Sequence, residues 1–449
     1  MKEDIFMEYQ KEVFDTLARL VKYNSVEGEP LEGKPFGEGP AAVLAEALKI
    51  ADEMGFRTVN MENYCGYAEI GEGEDIIGLV GHLDIVPAGD GWDTDPFTLT
   101  FKGDKVYGRG VSDDKGAVVA SLYAMKKIKD SGIPLKKRIR VLMGCNEESG
   151  SRCMDYYVKH GEPITVGVTP DANFPGIYGE KGGFGGKAYS KNTKIIDISG
   201  GTVSNAVCKK CTITIPAEVS VEALKTSFAK TPLKSYDIKE EDGKITIVAE
   251  GVAAHASMPY LGINAANYTF WALRDAGFKD DFVEFYNEHI GTANDGSGIG
   301  INVSDEYGAT TLCNGVVGME DGKVFATIDC RCAVTYSPEQ ITALAAPHLE
   351  DDKGVIVVRR AGKPLFFDPN SELVTKLVSA YREVTGDYEN QPEVIGGGTY
   401  AKSVPGIIAF GCEFPGADNH IHDVNESLPI EEMGLQIEIY RKAIEKLLN

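Results

Sequence analysis

Basic charge is what this sequence is short of. Its 45 Lys and Arg face 68 Asp and Glu, a formal net charge of −23. A nucleic-acid binder needs cationic surface to meet phosphate, and an anionic membrane asks for the same, so neither is an expected partner. Long uncharged apolar runs are missing too: none approaches the roughly 18 residues of a membrane span. The start, MKEDIFMEYQKEVF, mixes acid and base and has no apolar h-region, so no secretory signal is visible. The nine cysteines are odd in number and scattered, which suits free thiols in a reducing cytoplasm better than a disulfide framework. Cys208-Lys209-Lys210-Cys211 finds no second paired CxxC to complete a zinc knuckle, since Cys330 and Cys332 are separated by a single residue. GEKGGFGGK lacks the G-x-x-x-x-G-K-[ST] spacing of a phosphate loop.

What is present is ordinary globular composition, 43% hydrophobic and 25% charged, which excludes disorder and collagen-like structure. At about 150 residues per domain, 449 residues suggest two or three domains. Helical spacing of apolar residues predicts helices over Ile5–Val21, Ala41–Met54 and Lys115–Asp130. Further helices are expected over Glu147–His160, Glu372–Val384 and Pro429–Leu448. Buried strands are expected at IIGLVGHLD, Arg138–Gly144, Ile164–Val168 and Gly406–Phe410, and a hairpin around Gly103-Asp104. Strands alternating with helices imply an α/β fold: a mostly parallel sheet with helices on both faces. After Tyr178 the pattern changes to period-two strands mixed with helices, which reads as an inserted α+β lid. The expected division is 1–182 and 382–449 for a catalytic domain and 183–381 for the lid.

Several His, Asp and Glu fall at the ends of predicted strands. They are His82 and Asp84 in GHLDIVPAGDGW, Asp113 and Asp114 in GRGVSDDKG, Glu147 and Glu148 in NEESGS, Asp171 in TPDANFP and His422 in HIHDVNE. Ligands of open α/β sheets bind outside the carboxyl ends of strands, so this sheet would gather them. Imidazole and carboxylate suit zinc, with manganese or cobalt as alternatives. A pair of such ions needs a bridging group, which one carboxylate supplies, and can hydrolyse an amide. In the adjacent Glu147-Glu148, one carboxylate can bind metal while its diverging neighbour serves as general base. Asp84, two residues after His82, would share its face in an extended chain and can accept the second imidazole N–H.

These strings together resemble the dinuclear-zinc aminoacylase/carboxypeptidase superfamily. GHLDIVPAGDGW, TPDANFPGIYGEKG and IGGGTYAK are most similar to its peptidase V-type dipeptidases. The resemblance implies that His82 and Asp171 bind one metal, Glu148 and His422 the other, and that Asp113 bridges them, often with a cis peptide to Asp114. It also implies Glu147 as base and Asp84 as the residue orienting His82. In the insertion, GVAAHASMPYLGINA carries His255, which the resemblance makes an oxyanion donor supplied within one chain, hence a monomer. Asn205, Arg331, Gly397, Gly398 and Thr399 are the expected substrate contacts, the last three for the substrate carboxylate.

Plainer readings stand beside these. His82 could be a hydrogen-bonded core histidine, Asp113-Asp114 a helix N-cap, Glu147-Glu148 a helix start favoured by the dipole, and Asp171 a turn acid. His422 is preferred over His420 by its spacing to Asn425-Glu426, and His160, His289 and His348 are expected at the surface. The expected activity is cytoplasmic hydrolysis of dipeptides with a free N-terminus, the partner being a small peptide. The alternatives are deacylation of N-acyl amino acids at the same metals, or a non-catalytic metal-dependent binding protein.

Overall fold

The computed structural model describes residues 10–449. Helix Gln10–Val21 is the first among the described residues, and the part expected from Ile5 to Tyr9 lies outside them. The chain divides into two compact units. The first comprises 1–178, 367–393 and 398–449, the second 179–366 and 394–397. The insertion thus ends near 366, not at 381 as expected. Helix Glu372–Thr385 belongs to the first unit, where it packs along helix Ile430–Leu448 and Tyr381 stacks on Phe174 at 5.4 Å between ring centres.

The first unit is built on a sheet in the order 57–61, 65–70, 138–144, 76–82, 166–169, 407–409. The last four run parallel, and the first two close one edge antiparallel. Strand Ile76–His82 is buried along its whole length, as a strand covered on both faces must be. Helices Lys115–Asp130 and Ile430–Leu448 pack on it. Next to it, Gly144 abuts Met154 of helix Arg152–His160. Gly81 is glycine for a reason: a Cβ there would lie 2.6 Å from Asp114 Oδ2 and 2.7 Å from Val118.

The second unit is an antiparallel sheet in the order 235–241, 244–250, 210–216, 197–200, 317–320, 323–332, 182–190, 354–362, with 311–313 also paired to 323–332. Alternate residues such as Ile213, Ile247, Phe184 and Ile328 form one core with Phe270, Phe282 and Tyr286 of the helices Ala265–Asp275 and Asp281–His289. The fold is therefore α/β with an inserted α+β unit. Among the described residues, no helix is long and apolar enough to cross a membrane.

Candidate metal centre

Strand register explains why distant residues meet. His82 ends its strand directly beside Gly144, and Leu83 N–H donates to Gly144 O at 2.9 Å. Glu147 and Glu148 follow that neighbouring strand, and Asp171 follows the next parallel strand, Val166–Thr169. His422 comes after strand Ile407–Ala409, which pairs parallel with Val166–Thr169. All five lie at or beyond the carboxyl ends of strands of one sheet, where such sheets bind ligands.

Two groups of donor atoms result, sharing Asp113: His82, Asp113 and Asp171, and Asp113, Glu148 and His422. His82 Nε2 lies 2.9 Å from Asp113 Oδ1 and 3.9 Å from Asp171 Oδ2. His422 Nε2 lies 2.7 Å from Asp113 Oδ2 and 3.2 Å from Glu148 Oε2. The two oxygens of Asp113 thus face different histidines. Tetrahedral bonds of about 2.0–2.2 Å set ligand atoms roughly 3.3–3.6 Å apart, and the observed spacings bracket that. Glu148 Oε1 is buried without a hydrogen-bond partner, an oxygen left over for a cation.

The charges point the same way. Burial, then repulsion from Asp113, pushes Asp171 well above the usual carboxylate range and Glu148 upward. Glu147 rises to about 8, first by burial and then against the pull of His82, with Glu148 and Asp84 adding repulsion. Burial also works against charged Asp113, yet hydrogen bonding with His422 and His82 holds it well below its ordinary value. The cluster carries more anionic donors than two imidazoles offset, and divalent cations would neutralise the excess. These residues fit a pair of such ions.

The supporting residues differ in part from expectation. Asp84 meets the His82 ring chiefly through its main chain: its carbonyl oxygen is 3.0 Å from His82 Nδ1, while its carboxylate is 3.5 Å away. That carboxylate instead accepts the N–H groups of Glu147 at 3.0 Å and Glu148 at 3.1 Å. With its amides held there, Glu147-Glu148 forms a turn, and the helix expected from Glu147 begins only at Arg152. Asp114 sits at the N-cap position of helix Lys115–Asp130 without a capping bond from its side chain. Its Oδ2 accepts the His82 N–H at 3.0 Å, across a cis Asp113–Asp114 peptide.

Two further residues were not foreseen as structural parts of the site. Glu426, fully buried, accepts from Arg109 Nη1 at 2.8 Å and from the N–H groups of Gly110, Ser112 and Asp113 at 3.0, 2.9 and 3.1 Å. It clamps the loop that presents Asp113. Glu27 accepts from Asn146 Nδ2 at 2.8 Å and also holds Ser149 and Arg152, which fixes the Glu147-Glu148 turn from its other side. Only the position of Glu426 beside Asn425 hinted at the first; nothing in the sequence marks the second.

The remaining expected residues are distributed as follows. His420 is exposed and belongs to neither donor group. His160 and His348 are exposed, while His289 is half-buried, 3.3 Å from Asp351. Glu288 beside it is already paired with Lys353, so that cluster is an ion-paired corner of the second unit. In the second unit, His255 Nδ1 lies 2.7 Å from Ser257 Oγ, and Asn205 O accepts from Ala256 N–H at 2.9 Å, so Asn205 and His255 are close in the backbone. Arg331 belongs to the same unit and donates to Gly396 O at 3.2 Å. Gly397 belongs to the second unit, Gly398 and Thr399 to the first, where Thr399 Oγ1 accepts from Ala401 N–H at 3.1 Å.

A sheet edge bearing paired donor groups and a spare carboxylate suits a hydrolytic centre, and the sequence as a whole agrees with an enzyme of that class. The chain belongs to peptidase family M20/M25/M40, whose model matches residues 78–446, and is a metallopeptidase. It is 32% identical over 465 residues to "Putative dipeptidase YtjP" of Bacillus subtilis (strain 168), covering 99% of this chain and 97% of that protein. It is 30% identical over 468 residues to "Putative dipeptidase SH1171" of Staphylococcus haemolyticus (strain JCSC1435), covering 100% and 99%. In fold it is similar to human carnosine dipeptidase 1, with a TM-score of 0.58 at 16% identity and coverage of 100% and 98%. It is also similar to the di-peptidase Dug1p of Saccharomyces cerevisiae, with a TM-score of 0.55 at 15% identity and coverage of 99% and 97%.

Proposed function

We propose that this protein is a cytoplasmic dipeptidase that hydrolyses dipeptides with a free N-terminus at a two-metal centre. The observation that carries the reading is the sharing of Asp113 between two donor groups, with Glu147 held beside them by Asp84. The full-length similarity to proteins named as dipeptidases supports the substrate class.

His82 and Asp171 would hold one ion, Glu148 and His422 the other, and Asp113 both. Zinc is the first choice for this donor set, with manganese or cobalt as alternatives. When bound, the ions polarise the scissile carbonyl and acidify a water to a pKa of about 7. Glu147 takes the proton of the attacking water and delivers it to the leaving amine. Its upward shift to about 8 would be relieved by bound cations, leaving it a base near neutral pH. His255 donates to the developing oxyanion, a contact of the kind worth about 3–4 kcal/mol. Asn205, Arg331, Gly397, Gly398 and Thr399 contact the substrate. All nine cysteines are buried and unpaired, in keeping with a reducing compartment. The long insertion can supply His255 within one chain, so the working form is a monomer, which light scattering on the active protein tests.

The second reading, deacylation of N-acyl amino acids, uses the same centre. A panel of dipeptides and N-acetyl and N-succinyl amino acids, run after loading with zinc, manganese or cobalt, separates the two. Dipeptide turnover supports the proposal. Turnover of the acyl substrates alone replaces it with the second reading. No turnover with any metal leaves a binding protein.

A further inference from the structure

The glycine string that fails as a phosphate loop has a structural use. It opens strand Gly182–Ser190, which lies between Lys323–Cys332 and Gly354–Gly362. The registers Gly183↔Arg331, Gly185↔Asp329 and Gly185↔Arg360 place Asp329, Arg331 and Arg360 on one face of the sheet. Phe184, Ile328 and Cys330 alternate to the other face, into the helix-covered core.

Without side chains on these glycines, Arg360 reaches across the intervening strand. Its Nη2 lies 3.3 Å from Asp329 Oδ1. A Cβ on Gly183 would lie 3.0 Å from Nη2, 3.1 Å from Nε and 3.2 Å from Cζ of that guanidinium. Asp329 is thus shared. Its carboxylate also runs along Arg331, with Oδ1 3.0 Å from Nε and Oδ2 accepting from Nη2 at 3.2 Å. Arg331 Nη1 donates to Gly396 O. Each terminal nitrogen of Arg331 keeps one further N–H, a pair suited to a carboxylate.

The net charge of the group matters. An Asp–Arg pair is neutral, so Arg331 held by Asp329 alone offers a shape but no net attraction. Arg360 brings the three side chains to +1, matching one substrate carboxylate. We propose that Arg360 is a specificity-determining residue: it gives the Asp329–Arg331 pair the positive charge that selects a free C-terminal carboxylate over its amide. Asp329 is the positioning residue that aims Arg331. This rests on the reading of Arg331 as a substrate contact.

The test compares L-alanyl-L-alanine with L-alanyl-L-alaninamide on the metal-loaded protein. Arg360→Gln lowers kcat/KM for the acid about five- to tenfold, through KM, and leaves kcat and the amide nearly unchanged. Arg360→Lys, which keeps the charge, retains most of the preference. Gly183→Ala, whose Cβ would crowd the guanidinium, reproduces part of the loss. Raising salt to about 0.5 M shrinks the wild-type preference and spares that of Arg360→Gln. An acid-to-amide ratio unchanged in Arg360→Gln, or equal losses on both substrates in the Gln and Lys variants, overturns the proposal. If the wild type cleaves neither compound nor any dipeptide of the panel, the dipeptidase reading fails, and calorimetric titration with N-acetyl-L-alanine and its amide decides the role of Arg360. A drop in acid preference on Arg360→Gln then supports it, and an unchanged ratio overturns it.

Discussion

Asp84 holds Glu147: its carboxylate accepts the Glu147 N–H at 3.0 Å while its own carbonyl oxygen meets the ring of His82. One residue therefore ties the strand end that carries the proposed ligand His82 to the turn that carries the proposed base. Asp84→Asn replaces one accepting oxygen with a donor facing an N–H. The expected result is a 10- to 100-fold weaker metal affinity and a similar loss of activity, the usual effect of removing a ligand's support. Competition titration with a chelating dye measures the first. Unchanged affinity and activity would reduce Asp84 to a packing residue.

Glu147 and Glu148 are neighbours with divided duties in the proposed reaction. Glu147→Gln should lower kcat by about two to four orders of magnitude while the protein still carries two metal equivalents. Glu148→Gln should instead lose metal. Elemental analysis beside the rate measurement separates them, and metal loss in the Glu147 variant would exchange the roles.

Glu426 is a buried carboxylate shared by Arg109 and three main-chain N–H groups. Glu426→Ala leaves the buried Arg109 guanidinium without its carboxylate, a loss of about 3–5 kcal/mol. A lower Tm in the metal-free protein, with weaker metal binding besides, is expected. A Tm equal to wild type would show that Arg109 finds another partner.

A pH effect is expected far from the centre. Hydrogen bonds from Arg138 and Arg140 hold Glu162 down to about 2, against about 4.3 in an unfolded chain. Its folded value is depressed, so its contribution is present above about 4.3 and is lost as pH falls toward 2. The side chain is half exposed, so screening leaves about 1 kcal/mol or less. The Tm gap between wild type and Glu162→Gln should therefore shrink between pH 6 and pH 3. A gap that widens on acidification would contradict the ion-pair account.

The candidate residues are legible in the sequence as His, Asp and Glu beside turn residues after expected strands, and their division into a donor set follows from the resemblance. In the structure Asp113 stands between strand Lys105–Tyr107 and helix Lys115–Asp130, not at a strand end. The parallel core is legible from buried runs such as IIGLVGH. What cannot be read there is what depends on long-range hydrogen bonds. The Glu147–Gly150 turn looks helical in sequence, but Asp84, more than sixty residues earlier, claims its first amides. Likewise Glu426 clamps a loop more than three hundred residues before it. Most of helix Glu372–Thr385 falls within the expected insertion because amphipathic spacing shows a buried face without showing which core receives it. The glycines between 182 and 186 show in sequence only the motif they lack, since their use depends on Arg360 of the neighbouring strand.

The most direct test is anomalous diffraction at the zinc edge from crystals of the zinc-loaded protein. The account predicts two peaks on opposite sides of the Asp113 carboxylate, one against His82 and Asp171 and the other against Glu148 and His422, with Glu147 touching neither. A single peak, peaks away from Asp113, or Glu147 bound to an ion would contradict it.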